Sequence, residues 1–188
     1  VMSFDVFSDG LWKKICEIHE VTKRYSLIAE EISEDGSIFL QPMKEHRDAY
    51  DHMLRVLNTI IGRKRFPDNA SEASYISSNL SKAYGHEYRA FYDTADWISF
   101  YCRKFIRDSL NSIPEERRRE LPNFDEIRAD INTNIPLQVA ELRNAKDIGI
   151  SSTQTGTDGN EDLVSKYRKV LDTLIEYRRI VSKFTGRI

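Results

Sequence analysis

The 188 residues contain only two cysteines, Cys16 and Cys102, and these form no Cys-x-x-Cys pair. That excludes a disulfide framework and a thiolate metal site, and predicts buried free thiols in a reducing compartment. No apolar run approaches the roughly 18–20 residues of a membrane span, and no signal-peptide core precedes the first polar segment. A cytoplasmic protein with no membrane partner is therefore expected. Charge of one sign is also missing. The 28 Lys and Arg against 30 Asp and Glu leave a formal net charge of −2, so binding to nucleic acid would need a local basic patch. The sequence has no Gly-rich phosphate loop, no Gly-x-Ser-x-Gly elbow, no His-Glu-x-x-His and no Cys/His zinc spacing. ATP-driven chemistry, serine hydrolysis and a structural zinc are unsupported.

What the chain does have is material for a core and a regular pattern to build it. Hydrophobic residues make up 40%, aromatic residues 11% and charged residues 31%, which suits one globular domain over 1–188. Leu11, Trp12, Ile15, Ile18/His19, Thr22, Tyr25, Ile28/Ala29 and Ile32 recur at mostly helical spacing behind a cap at Ser8 or Asp9. Gly36 can end that helix in the left-handed conformation. Pro42 suits the first turn of a second helix, with a stripe of Met43, His46, Ala49/Tyr50, Met53, Val56/Leu57 and Ile60/Ile61 that Gly62 closes. Ile38-Phe39-Leu40 can serve as a staple onto that helix.

The longest pattern runs from about 71 to 113. Its stripe is Ile76, Leu80, Ala83/Tyr84, Tyr88, Phe91, Ala95, Ile98, Cys102, Phe105/Ile106 and Leu110. A straight helix of that length spans about 60 Å, so either a break, cheapest at Gly85, or a helix projecting from the body is expected. Asn123 can cap the next run, Phe124, Ile127, Ile131, Ile135, Val139 and Leu142. Pro136 kinks that run or divides it in two. A flexible Ser/Thr/Gly-rich loop at 151–160 precedes a last helix carrying Leu163, Tyr167, Val170/Leu171, Leu174, Tyr177/Arg178 and Val181. The fold class is all-α: five to six mostly antiparallel helices, one very long or kinked.

The polar residues concentrate in Glu45–Leu57, which holds two of the four histidines, two aspartates and two arginines. A di-metal carboxylate site would need Glu-x-x-His pairs, and the chain has none. Asp48 and His52 share one helix face and His86 and Asp93 another, with Asp96 near, a set whose chemistry could converge on one metal. The surface or satisfied-core reading of these residues is preferred, with no metal and no cofactor expected. His46 falls on the apolar stripe and reads as structural.

The segment Arg47-Asp48-Ala49-Tyr50-Asp51-His52 resembles the Arg-x4-His signature of HEPN-domain proteins. These are all-α bundles common in bacterial toxin–antitoxin and phage-defence systems, and many cut RNA without a metal. The resemblance implies that His52 is the acid/base for attack by a ribose 2′-hydroxyl. It implies further that Arg47 stabilises the phosphorane and that Asp48 orients one of them. Five residues separate Arg47 from His52 by about 140° of rotation; the family places the motifs of two subunits across an interface, which implies a homodimer with RNA as partner. A second row, His86, Arg89, Asp93 and Asp96, echoes the first and is expected to face it as a binding surface if the second and third helices run antiparallel. Arg63-Lys64-Arg65 and Arg117-Arg118-Arg119 are weak basic patches that read as solvated turns. The alternative function is a non-enzymatic helical module docking a protein from a neighbouring gene.

Overall fold

The stripes fold into six α-helices with no strand among the described residues, an all-α bundle. The computed structural model describes residues 10–33, 40–63, 67, 71–152 and 158–186. The helices are α1 (Gly10–Ile32), α2 (Leu40–Ile60), α3 (Glu72–Asn111), α4 (Phe124–Ala129), α5 (Ile135–Ser152) and α6 (Asp158–Thr185). A 3-10 turn (Glu115–Glu120) precedes α4, and a π-helical segment (Asp130–Asn134) joins α4 to α5. The expected caps at Ser8, Asp9 and Gly36, the Ile38–Phe39 staple and the core of the 151–160 loop lie outside the described residues. No helix of the described residues is long and apolar enough to cross a membrane.

The chain divides into two compact units, Val1–Thr94 and Ala95–Ile188, and α3 supplies its residues 72–94 to the first and 95–111 to the second. In the first unit, α1 and α3 run parallel, with His19 beside Glu87 and Tyr25 beside Phe91. There α2 runs against α3, since Glu45 meets His86 while His52 meets Asn79. In the second unit, Arg107 meets Asn132 and Asp96 meets Arg143, so the α4–α5 rod opposes α3. Asp96 also meets Tyr167, and Arg178 lies over Phe105, so α6 runs with α3. Each unit is an up-down-up set of three rods, as short connections between amphipathic helices favour.

The core follows the sequence stripes of α1, α3, α4–α5 and α6 closely. Tyr25, Tyr88, Phe91, Tyr92, Tyr167, Ile106 and Leu171 are among the fully buried side chains, and full burial of an apolar side chain contributes about 1.5–3 kcal/mol. Three local expectations are corrected. The helix does not break at Gly85. That glycine is helical, and a Cβ there would meet only Arg89 Nη1, at an ordinary 3.6 Å, so nothing at this position requires a break and the helix runs through it. Asn123 precedes α4 but makes no side-chain cap; it holds a left-handed turn at φ 60°, which asparagine tolerates better than most residues. Cys16 is exposed and only Cys102 is buried, because Cys16 lies one residue, about 100°, beyond the inward Ile15.

Pro136 acts as expected. It removes one backbone donor, and the π-helical segment just before it absorbs the change of register. Gly62 ends α2 at φ 68°, and two capping bonds, Gly62 N–H to Thr59 O and Arg63 N–H to Asn58 O, close the helix.

The largest departure is the rotation of α2. Pro42, Ala49, Val56 and Thr59 face inward, whereas Met43, Tyr50 and Ile61, expected inside, are 61%, 58% and 58% exposed. The physical reason is on α3: the inward face of α2 also carries Glu45, His46 and His52, and each finds a polar partner there. Such partners remove the penalty of burying polar groups, so the helix can settle with its larger apolar residues outward.

Candidate functional site

All four histidines converge in the first unit, on facing positions of α1, α2 and α3. The sequence reason is a mirrored pair of dipeptides, Glu45-His46 on α2 and His86-Glu87 on α3. On facing antiparallel helices successive residues step across the interface in the same order. Glu45 therefore meets His86 on one flank, and His46 meets Glu87 on the other. The distances are 2.9 Å from His86 Nδ1 to Glu45 Oε2 and 3.0 Å from His46 Nδ1 to Glu87 Oε2. Ala49 of α2 and Ala83 and Ala90 of α3 are fully buried.

On the first flank Arg89 ties the pair together. Its Nε donates to Glu45 Oε2 at 2.8 Å, and its Nη2 lies 2.7 Å from His86 Nδ1. Guanidinium offers only donors, so Nη2 donates to His86 Nδ1 when that nitrogen is bare. When Nδ1 is protonated, it donates to Glu45 instead. With Nδ1 bare, the neutral His86 ring carries its hydrogen on Nε2; with Nδ1 donating to Glu45, Nε2 carries one only in the imidazolium. Burial pushes the Glu45 carboxyl up, but the hydrogen bonds from His86 and Arg89 outweigh it, and its pKa falls below the ordinary value.

His52 stacks on His86, with ring centroids 5.4 Å apart and planes at 23°. Its Nδ1 lies 2.9 Å from Asn79 Oδ1, while Asn79 Nδ2 donates to Tyr75 O at 2.8 Å. The amide nitrogen is thus committed to a carbonyl, which leaves the amide oxygen to accept from His52. Nδ1 carries the hydrogen, and the neutral ring keeps a bare Nε2. Arg47 donates from Nε and Nη2 to Asp48 Oδ1 at 2.9 and 2.8 Å. That bond, then the charges of Arg47, His86 and His52, hold the Asp48 carboxyl below its usual range. Arg47 itself is 71% exposed.

On the second flank Glu87 is buried and receives two imidazoles. His19 Nδ1 donates to Glu87 Oε2 at 3.2 Å, and His46 Nδ1 stands 3.0 Å from the same oxygen. The His46 contact is out of line for a hydrogen bond, so its buried Nδ1 has no hydrogen-bond partner among the described residues. Burial raises the Glu87 carboxyl, but the hydrogen bond from His19 and the close imidazole of His46 outweigh it, and its pKa falls below the ordinary value. The bond to Glu87 in turn raises His19 above 6.5.

Compared with known proteins, the chain matches no family model, no curated protein and no solved structure.

Of the residues singled out in the sequence, Arg47, Asp48, His52, His86 and Arg89 gather in one cluster. Asp93 sits half-buried one turn beyond Arg89. Asp96 belongs to the second unit, where it accepts from Arg143 Nε at 2.9 Å and from the Tyr167 hydroxyl. The seven-residue step from Arg89 to Asp96 runs along α3 past the end of the first unit, so the expected row is divided. His46 is no apolar-stripe residue but a partner of Glu87. Sequence reasoning missed Glu45, Glu87, His19 and Asn79 as site residues. The mirrored Glu-His and His-Glu pairs were a readable signal for the first two; nothing local marks His19 or Asn79.

The basic turn is engaged locally. Arg117 pairs with Glu120 at 3.1 Å, and Arg118 donates to Ile113 O at 3.3 Å. An open groove of about 600 Å³ runs along α5 and α6, lined by Asp130, Glu141, Lys166, Lys169 and Tyr177 among others. It contains none of the expected site residues.

Proposed function

We propose that this helical protein binds RNA and cleaves it without a metal, as a homodimer, in a bacterial defence or toxin–antitoxin type system. The observation that carries the reading is the stacked His52–His86 pair, with ring centroids 5.4 Å apart. His52 has a bare Nε2, suited to accept the 2′-hydroxyl proton as the 2′-oxygen attacks phosphorus. His86, with Arg89 donating to its Nδ1, has an Nε2–H, suited to protonate the 5′-oxygen as the P–O5′ bond breaks. The products are a 2′,3′-cyclic phosphate and a 5′-hydroxyl, so each proton and bond is accounted for. Arg47 is exposed and offers two donors in a fork that matches phosphate oxygens. Asp48 orients that fork, and Arg89 orients His86. The bacterial setting rests on the resemblance of Arg47 to His52 to the HEPN signature.

A face of α2 supports the homodimer. Leu40, Met43, Arg47, Tyr50, Leu54, Leu57 and Ile61 recur at alternating steps of three and four, a heptad seam. Leu40, Met43, Tyr50 and Ile61 on it are strongly exposed, and Arg47 lies among them. A second copy on this seam would set Arg47 of one subunit beside the other subunit's site. The same seam favours the second reading, a non-enzymatic module that docks another protein through it.

Incubating the full chain with total RNA in EDTA tests the first reading. Cleavage to cyclic-phosphate ends, lost in His52→Ala, supports it. No cleavage by the wild type at high protein concentration, or undiminished cleavage by His52→Ala, rejects it in favour of the docking module.

A further inference from the structure

On the second flank of the histidine cluster, three side chains from three helices aim at one point. His19 of α1, His46 of α2 and Glu87 of α3 each offer a ligand atom, and these atoms all lie within 4.8 Å of one another. We infer that they form a binding site for one divalent transition-metal ion. The inference uses none of Arg47, Asp48, His52, His86 or Arg89, and stands independently of the RNA reading.

The spacing fits. Nitrogen and oxygen ligands at about 2.0–2.2 Å from an ion lie about 3.0 Å apart in octahedral and about 3.4 Å apart in tetrahedral geometry. The two imidazole nitrogens stand 3.0 and 3.2 Å from Glu87 Oε2. The donor set fits as well: two imidazoles and one carboxylate suit zinc, iron, cobalt or nickel better than calcium or magnesium, which prefer oxygen. His46 Nδ1 supplies the independent sign. A buried imidazole nitrogen without a hydrogen bond requires a reason, and a lone pair 3.0 Å from a carboxylate oxygen gains one when a cation lies between them. Glu87 is 1% exposed, so its negative charge sits where a cation is most strongly attracted. His19 lies at the rim with its side chain 49% exposed, giving the ion an entry. Three protein ligands leave one to three coordination positions open to water or a substrate oxygen.

The test uses chelator-stripped full-length protein titrated with cobalt(II) chloride and, separately, zinc chloride. The wild type is expected to bind one ion per chain, to develop visible cobalt absorption and to melt at a higher temperature with zinc. His19→Ala removes a rim ligand and spares the core, and should weaken binding by about tenfold or more. Glu87→Gln keeps the shape and removes the charge, and should abolish the zinc-dependent melting shift while circular dichroism stays helical. His52→Ala should bind cobalt as the wild type does. Failure of the wild type to bind either ion at millimolar concentration, wild-type binding by His19→Ala or Glu87→Gln, or loss of binding in His52→Ala would each overturn the site. RNA cleavage in EDTA is read separately, so either reading can fail while the other stands.

Discussion

Asn79 Oδ1 accepts the Nδ1 proton of His52 at 2.9 Å, and that contact decides which imidazole nitrogen can act as a base. Because Asn79 is itself held by Tyr75 O, the tautomer is imposed by the packing of α3 on α2. Asn79→Ala should let His52 sample both tautomers and reduce RNA cleavage by about tenfold or more, the usual cost of losing an orienting partner. Imidazole nitrogen shifts measured by NMR should show the mixture directly. Full activity in Asn79→Ala would remove the tautomer from the mechanism.

The homodimer reading makes a sharper demand. Arg47→Ala and His52→Ala should each be inactive alone. If the working site combines Arg47 of one subunit with His52 of the other, mixing the two variants should restore about a quarter of wild-type cleavage, since half the dimers are mixed and each has one intact site of two. A site built within one subunit restores nothing. Tyr50→Glu, on the exposed seam, should yield a monomer by sedimentation.

Gly85 gives a stability prediction of unusual sign. It is helical, and an added Cβ meets only Arg89 Nη1, at an ordinary 3.6 Å. Gly85→Ala should therefore stabilise the protein by about 0.5–1 kcal/mol through lower unfolded-chain entropy. Urea unfolding measures this, and a clear destabilisation would mean that Arg89 needs more room than its contact indicates.

Tyr167 holds Asp96 from α6, and burial, then the Asp96 charge and hydrogen bond, keep its phenol protonated well above the usual range. Tyr167→Phe deletes a hydrogen bond to a charged group and should cost about 1.5–3 kcal/mol. Arg143 still pairs with Asp96 in that variant, so the loss should fall towards the lower end. Chemical denaturation gives the value.

The two thiols should react differently. Burial pushes Cys102 up to about 12, whereas Cys16 is exposed on α1. Thiolate is the reactive form, so a thiol reagent at neutral pH should modify one cysteine per native chain and both after denaturation. Mass spectrometry of the labelled peptides identifies which.

The sequence by itself determined the helices. Periodic apolar positions such as Ile76, Leu80, Tyr88 and Ile98 report local backbone geometry, because a 3.6-residue repeat needs only its own segment to be read. Gly62 and Pro136 likewise act within a turn of themselves. Tertiary structure alone decided the orientation of α2 and the company of its polar residues. Met43, Tyr50 and Ile61 read as core until His46, Glu45 and His52 are seen to have partners on α3. Whether a buried carboxylate such as Glu87 is tolerable depends on groups 41 and 68 residues away in the chain, and no local pattern records them. The cluster that began as one stretch on α2 is therefore a property of three helices packed together.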